Sequence, residues 1–392
     1  MIKLIKSTFY QEEKTKQKLV HFIKNARQLS FGKECENFEI KFARWQGRKH
    51  CVMVNSGSSA NLALFQALLN IGYLKKNDLV GFSAVTWSTN AMPIVQLGLQ
   101  PVPVDIELNT INVSSKQLLK VLKKYPLKML FITNLLGFCD DLEEIVKICR
   151  EKKIILTEDN CESLGSVYRG KKLGNFGLAS TFSFYVGHHM STIEGGAICT
   201  DDEDLAIMLR LVRAHGWDRN LNFTKQKELR KKFHINQSFY ARYSFYDLGF
   251  NFRPTEIAGF LGNVGLNHLP EIIKKRERNF MKLAKVLYTK SDRYYPLKYQ
   301  HLTVNSNFAF PLICTSEKLR NELVKKCANK VEIRPIVGGN IRLQPFFTKY
   351  LTGDRFPPTD NADLVHRQGL YFGNNPELTR QEIELIINLF NS

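Results

Sequence analysis

Ser180-Thr-Phe-Ser-Phe-Tyr-Val-Gly-His188-His189-Met-Ser-Thr-Ile-Glu194-Gly195-Gly196-Ala-Ile-Cys-Thr-Asp-Asp202 is the stretch from which the fold is read. It opens on an aromatic and hydroxylated run that suits a buried strand. Two adjacent histidines, a glutamate and a Gly-Gly pair follow, and then a second apolar strand closes on two aspartates. Strand, polar loop, strand is the signature of a site at the mouth of a sheet.

Outward from that stretch, strand signals alternate with helical patterns. Residues 1–49 read as helical, with a turn at Phe31-Gly32-Lys33. Strands are expected at 50–55, 78–84, 102–105, 129–134, 154–159, 180–185 and 197–200, with helices at 58–70 and 88–97 and between most of the other strands. Such alternation predicts a mostly parallel sheet covered on both faces. The 197–200 strand, reached through a short loop, should run antiparallel to its neighbour. Past Asp204 a helix to about residue 215 leads into a polar, basic stretch, 218–236, expected to be a mobile or substrate-covering loop. Residues 250–253 precede a long helical region, 255–290. The remainder mixes strands (307–313, 331–335) with helices (316–328, 380–391). The expected division is a large domain of residues 1–254, including the N-terminal helical segment, and a smaller α+β domain of residues 255–392.

Length and composition agree with an enzyme of two domains: 392 residues, 44% hydrophobic, with no low-complexity tract. The N-terminus becomes charged too early for a signal peptide, and no apolar run reaches membrane-spanning length, so a soluble cytoplasmic protein is expected. The formal charge of +19 raises a nucleic-acid reading. Its lysines are scattered in pairs, however, with no stripe of basic residues interleaved with aromatics. Neither nucleic acid nor membrane is therefore expected as a partner, and part of the charge would draw in an anionic substrate. The eight cysteines include no C-x-x-C pair and several end apolar runs, which predicts reduced core thiols and no metal site.

Three further motifs sit at the carboxyl ends of strands, the first where a strand turns into a helix. Asn55-Ser56-Gly57-Ser58-Ser59-Ala60-Asn61 presents free amides and hydroxyls at a helix start, a place to hold a phosphate, although a capped helix would use the same residues. Thr86-Trp87-Ser88 puts a tryptophan at a strand's end, which core packing would also explain. Glu158-Asp159-Asn160-Cys161-Glu162 ends a strong strand in acidic groups. Those are costly to bury unless something cationic meets them, while Asp159 could alternatively cap a helix. Two later knots are Arg213-Ala214-His215-Gly216-Trp217, where His215 is either structural or a substrate contact, and Gly249-Phe250-Asn251-Phe252-Arg253-Pro254.

The central stretch resembles the cofactor-lysine segment of the DegT/DnrJ/EryC1/StrS sugar-nucleotide aminotransferases, Ser-Phe-His-Pro-x-Lys-x-x-x-x-x-Glu-Gly-Gly. Ser183, Phe184 and Glu194-Gly195-Gly196 match, and the lysine's register falls on His188. The resemblance extends over essentially the whole chain, including Arg334-Pro335-Ile336-Val337, and implies an α/β fold of the fold type I, aspartate-aminotransferase-like class that binds pyridoxal 5'-phosphate. It places the cofactor phosphate on Gly57, Ser58, Ser59 and Ser183, an aromatic stack on Trp87 and the ring nitrogen against Asp159. Glu162 stands beside the ring oxygen, where many relatives have glutamine. Asn251 would cross to the cofactor phosphate of a partner subunit, which implies a homodimer with a shared active site.

The departure at His188 carries the functional expectation. Lysine in the family both tethers the cofactor and shuttles a proton; an imidazole keeps only the second task. The resemblance is therefore to the 3-dehydratase branch, with the cofactor working untethered as pyridoxamine 5'-phosphate. The implied reaction removes the C3 oxygen of a nucleotide-linked 4-keto-6-deoxy sugar, with a GDP-mannose derivative expected, in deoxysugar and O-antigen biosynthesis. L-Glutamate would restore the amine. Sister enzymes hold an iron–sulfur cluster on cysteines late in the large domain, whereas here none lies between Cys199 and Cys314, so no cluster and no reductase are expected. The rival expectations are an aminotransferase using a lysine from elsewhere in the chain and a non-catalytic nucleotide-sugar-binding homologue.

Overall fold

The computed structural model describes residues 1–351 and 356–391. Seven strands build its main sheet: β1 (His50–Val54), β2 (Leu79–Ser83), β3 (Gln100–Val104), β4 (Met129–Thr133), β5 (Ile155–Asp159), β6 (Ala179–Ser183) and β7 (Gly196–Thr200). Their order across the sheet is β1-β7-β6-β5-β4-β2-β3, and β7 alone runs against its neighbours. The expected antiparallel strand is thus β7. Helices cover both faces, which is why β4 (Met-Leu-Phe-Ile-Thr) reads as a continuous apolar run buried at every position.

Three helices set the frame of the N-terminal half: α1 (Glu12–Asn25), α2 (Lys33–Gln46) and α3 (Gly57–Asn70). The fourth needed here, α4 (Glu256–Leu287), begins at its N-cap Thr255, immediately after the expected division, and runs 32 residues. It packs on α1 and α2 early and on the C-terminal helix Arg380–Asn391 later. A second, antiparallel sheet joins Tyr294–Tyr295, Ala309–Cys314, Gly369–Gly373 and Ile333–Arg334. Its apolar face and the helices around it share one core with β3, β4 and the helix Leu142–Glu151.

Two expected elements need correction. The 88–97 helix is a single 3-10 turn, Ser88–Asn90, and then a short helix, Met92–Gln96, because Pro93 is tolerated only in a helix's first turn. The 218–236 stretch is not a loop throughout. Phe223–Lys232 is a helix capped by Asn222, whose side chain accepts from the Lys225 amide. None of its residues is buried, so it has no apolar stripe for a sequence reading to detect.

Candidate active site

Glycines decide how close the site's elements come. At Gly196, the first residue of β7, a Cβ would lie 2.3 Å from the Ser56 carbonyl oxygen. At Gly57, the first residue of α3, a Cβ would lie 2.7 Å from Cβ of Ser183 and 3.1 Å from Sγ of Cys161. Without side chains there, the start of α3 seats directly on the ends of β6 and β7. Ser56 caps the helix, accepting from the Ser59 amide at 3.0 Å and donating to the Ser59 hydroxyl at 2.9 Å. Ser59 is therefore committed to the cap, while Gly57 and Ser58, whose first-turn amides have no intrahelical acceptor, line a cavity of about 300 Å³.

Asp159 enters that cavity from the carboxyl end of β5, where an open α/β sheet places its ligands. Its Oδ2 accepts from Nδ2 of Asn61 at 3.0 Å and of Asn90 at 2.8 Å, and its Oδ1 accepts from the Cys161 amide at 2.8 Å. Three donors and near-complete burial aim one charged group at the cavity. Glu158, its neighbour in sequence, points the other way and is spent on structure, accepting from Asn134 and from the amides of Gly174, Phe176 and Gly177. Glu162 lines the cavity, accepts from the Leu136 amide at 3.1 Å, and is pushed up to about 8 by burial and then by the nearby Asp159 charge. At neutral pH it is a protonated acid able to donate.

His188 closes the cavity from the β6–β7 loop. Its amide donates to the Tyr185 carbonyl at 2.9 Å, and its carbonyl accepts from Nη2 of Arg276 at 3.1 Å. The ring packs against Phe308 and Tyr185, with centroids 5.2 and 5.7 Å away. Its Nδ1 is buried without a protein partner, which leaves Nε2 as the accessible nitrogen. Burial, then the Arg276 guanidinium, draws its pKa down to about 4, so the imidazole is a neutral base at ordinary pH. His189 instead turns inward, its Nε2 bonded to the Ser306 carbonyl at 3.0 Å.

Trp87 stands at the rim, 53% exposed, and Ser183 lines the floor. His215 and Asn251 do not reach this cavity. They lie side by side on an exposed surface, joined by the Ala214–Asn251 bridge and the bond from the His215 amide to the Phe250 carbonyl. Sequence reasoning had not given Asn61 and Asn90 their part in fixing Asp159, although Asn61 ends the first quoted motif and Asn90 lies two residues past the Thr86-Trp87-Ser88 motif. It also missed Tyr371 and Phe308, brought in by the second sheet, and gave Arg334 no role, although Arg334 lines the cavity. Arg276, in the middle of a long helix, carried no local signal at all.

The residues present fit pyridoxamine phosphate. A phosphate could take the α3 amides and Ser183, a pyridinium nitrogen could pair with Asp159, and Trp87 and Glu162 could meet the ring and its oxygen. Among the described residues no lysine lines the cavity, and no group of His, Cys, Asp or Glu could hold a metal ion.

Comparison with known proteins agrees with this geometry. The DegT/DnrJ/EryC1/StrS aminotransferase family profile matches residues 10–391. The GDP-4-keto-6-deoxy-D-mannose 3-dehydratase of Escherichia coli O55:H7 is 36% identical over 94% of this chain and 95% of its own. A structure of GDP-4-keto-6-deoxymannose-3-dehydratase with a trapped PLP–glutamate geminal diamine superposes with a TM-score of 0.90 at 32% identity, covering all of both chains. A histidine-to-asparagine mutant of that enzyme with bound GDP-perosamine superposes with a TM-score of 0.89 at 32% identity, again over the full length of both. The chain belongs to the DegT/DnrJ/EryC1/StrS aminotransferase family.

Proposed function

We propose that this protein is a pyridoxamine-phosphate-dependent 3-dehydratase of a nucleotide-linked 4-keto-6-deoxy sugar, GDP-4-keto-6-deoxymannose, with L-glutamate as amine donor. The observation that carries the reading is a neutral histidine, His188, in a cavity that fits the cofactor and that no lysine lines among the described residues. The relatives named for this reaction, one of them holding a PLP–glutamate adduct, support the substrate and the donor.

The cofactor, when bound, supplies an amine for the C4 ketone and a ring that absorbs electrons. His188 holds a lone pair at Nε2, takes up a proton there and returns it to the hydroxyl departing from the sugar's C3. Asp159, fixed by Asn61, Asn90 and the Cys161 amide, keeps the ring nitrogen protonated. Glu162 donates to the ring oxygen. Gly57, Ser58 and Ser183 hold the phosphate, with Ser59 maintaining the helix start that presents it. Trp87, at the cavity rim, would supply an aromatic surface for the ring. Asn251 and His215, remote from their own chain's cavity, serve the cavity of a second copy, so the working unit is a homodimer. The large domain, residues 1–254, supplies the cofactor contacts, and residues 255–392 close the cavity from the other side.

The test is incubation with pyridoxamine phosphate, L-glutamate and a panel of nucleotide-linked 4-keto-6-deoxy sugars, followed by product mass. Loss of the C3 oxygen supports the proposal; gain of an amine with the oxygen retained refutes it. Borohydride treatment separates the aminotransferase rival, which requires a phosphopyridoxyl adduct on one lysine.

A further inference from the structure

His188 is the wall between two cavities. Behind the cofactor cavity lies a polar cleft of about 30 Å³, bounded by residues 4–10, the His188 loop, α4 and residues 375–377. Three residues of its wall carry a buried polar atom with no protein partner: Nδ1 of His188, Nδ1 of His189 and Nε of Arg276. His189 and Arg276 are only 3% and 4% exposed. Each buried group left unpaired costs about 1–3 kcal/mol, so three around one space call for a shared partner.

Their chemistry is complementary. The arginine Nε can only donate. Nε2 of His189 faces a carbonyl oxygen 3.0 Å away, so that nitrogen carries the proton and Nδ1 of His189 accepts. A His188 that works as a base at Nε2 keeps its proton on Nδ1, which therefore donates. A water needs about 10–15 Å³ and two to four polar partners, and the cleft offers both. Glu377 is the one carboxylate on this wall among the described residues. Its Oε2 accepts from the Ser7 hydroxyl at 2.9 Å, and its other carboxylate oxygen takes no protein donor among them.

We propose that ordered water in this cleft accepts the Nδ1–H of His188 and passes the hydrogen bond on to Nδ1 of His189 and to Glu377, which makes Glu377 a positioning residue for the base. The inference rests on the dehydratase reading, because that reaction requires Nε2 to be free of its proton. The proton His188 takes at Nε2 returns from Nε2, and the Nδ1 proton stays in place, so the cleft carries no net proton. It fixes the tautomer and answers the transient positive charge through water, as a carboxylate does behind a metal-bound histidine.

Neutron diffraction of the protein with pyridoxamine phosphate bound should show water in the cleft and deuterium on Nδ1 of His188. Glu377→Gln should lose that tautomer preference and lower kcat about tenfold with KM within about twofold. A dry cleft, deuterium on Nε2 of the parent, or a Glu377→Gln enzyme with unchanged kcat would overturn the idea. Should Glu377→Gln not fold, the parent's neutron map alone decides. Water and tautomer are read without turnover, so a parent that fails to dehydrate any sugar sinks the functional reading while leaving this test intact.

Discussion

At the scale of the residue, the exchange of an amine for an imidazole at position 188 changes what the site can do. His188→Asn keeps a polar side chain of similar reach but cannot move a proton. Its kcat should fall by about 10²–10⁴-fold while pyridoxamine phosphate still binds with near-parental affinity, measured by single-turnover product formation and fluorescence titration. The pH profile follows from burial. His188 titrates near 4, and the base is active when neutral, so kcat/KM should stay level as pH falls from 7 toward 5 and drop only on passing through about 4. An acid limb near 6.5 would mean a solvated ring. Glu162 shifts the other way, to about 8 in the folded chain. Between its ordinary value near 4.5 and 8 the folded state keeps a proton that the unfolded state has released. Its contribution to stability is therefore present below pH 4.5 and lost as pH rises through 8. In the cofactor-free protein, Glu162→Gln should flatten that loss, gaining at most a few kcal/mol over the parent at pH 8 in denaturant melts.

At the scale of the element, the site depends on how closely the start of α3 approaches the end of β6. Gly57→Ala would drive a methyl group into Ser183 and Cys161, neither of which can retreat from a strand end or a tight turn. The expected cost is about 1–3 kcal/mol of stability, together with cofactor affinity weakened by at least about tenfold, since a 1.4 kcal/mol loss at the phosphate suffices. Thermal melting with and without pyridoxamine phosphate separates the two effects. The same scale shows where pattern reading works. The strand-to-helix junction at 54–57 and the strand end at 159–162, which runs on into tight turns, announce themselves through glycine, hydroxyl and acidic residues following an apolar run, and the β4 run could only be a strand buried on both faces. The helix Phe223–Lys232 shows the converse: polar on every side, it carries no period to read.

At the scale of the whole molecule, His215 and Asn251 lie together on a surface their own cavity does not reach. If they complete a neighbour's site, subunits lacking His188 and subunits lacking Asn251 are each inactive alone yet complementary. Mixed and refolded at equal amounts, His188→Asn and Asn251→Ala chains should recover activity in the heterodimer, where one of the two sites is intact, giving about a quarter of the parent's activity for random pairing. No recovery would make each site self-sufficient, and an Asn251→Ala enzyme active by itself would make Asn251 dispensable. Light scattering should report a dimer in the same samples.

Read without a structure, the chain already shows the strand-helix order, the reversed strand after the histidines, the acidic group at a strand's carboxyl end and the imidazole in a lysine's register. All are local or periodic, written in neighbours along the chain. Tertiary structure alone decides which of two adjacent acids faces the cavity, since Glu158 is turned away by amides sixteen or more residues distant. It also decides that Arg276, 88 positions from His188 in sequence, holds that loop and helps keep its ring neutral. Burial and electrostatic neighbourhood are properties of what folding brings together, and they set whether the same imidazole is a charged loop residue or a base.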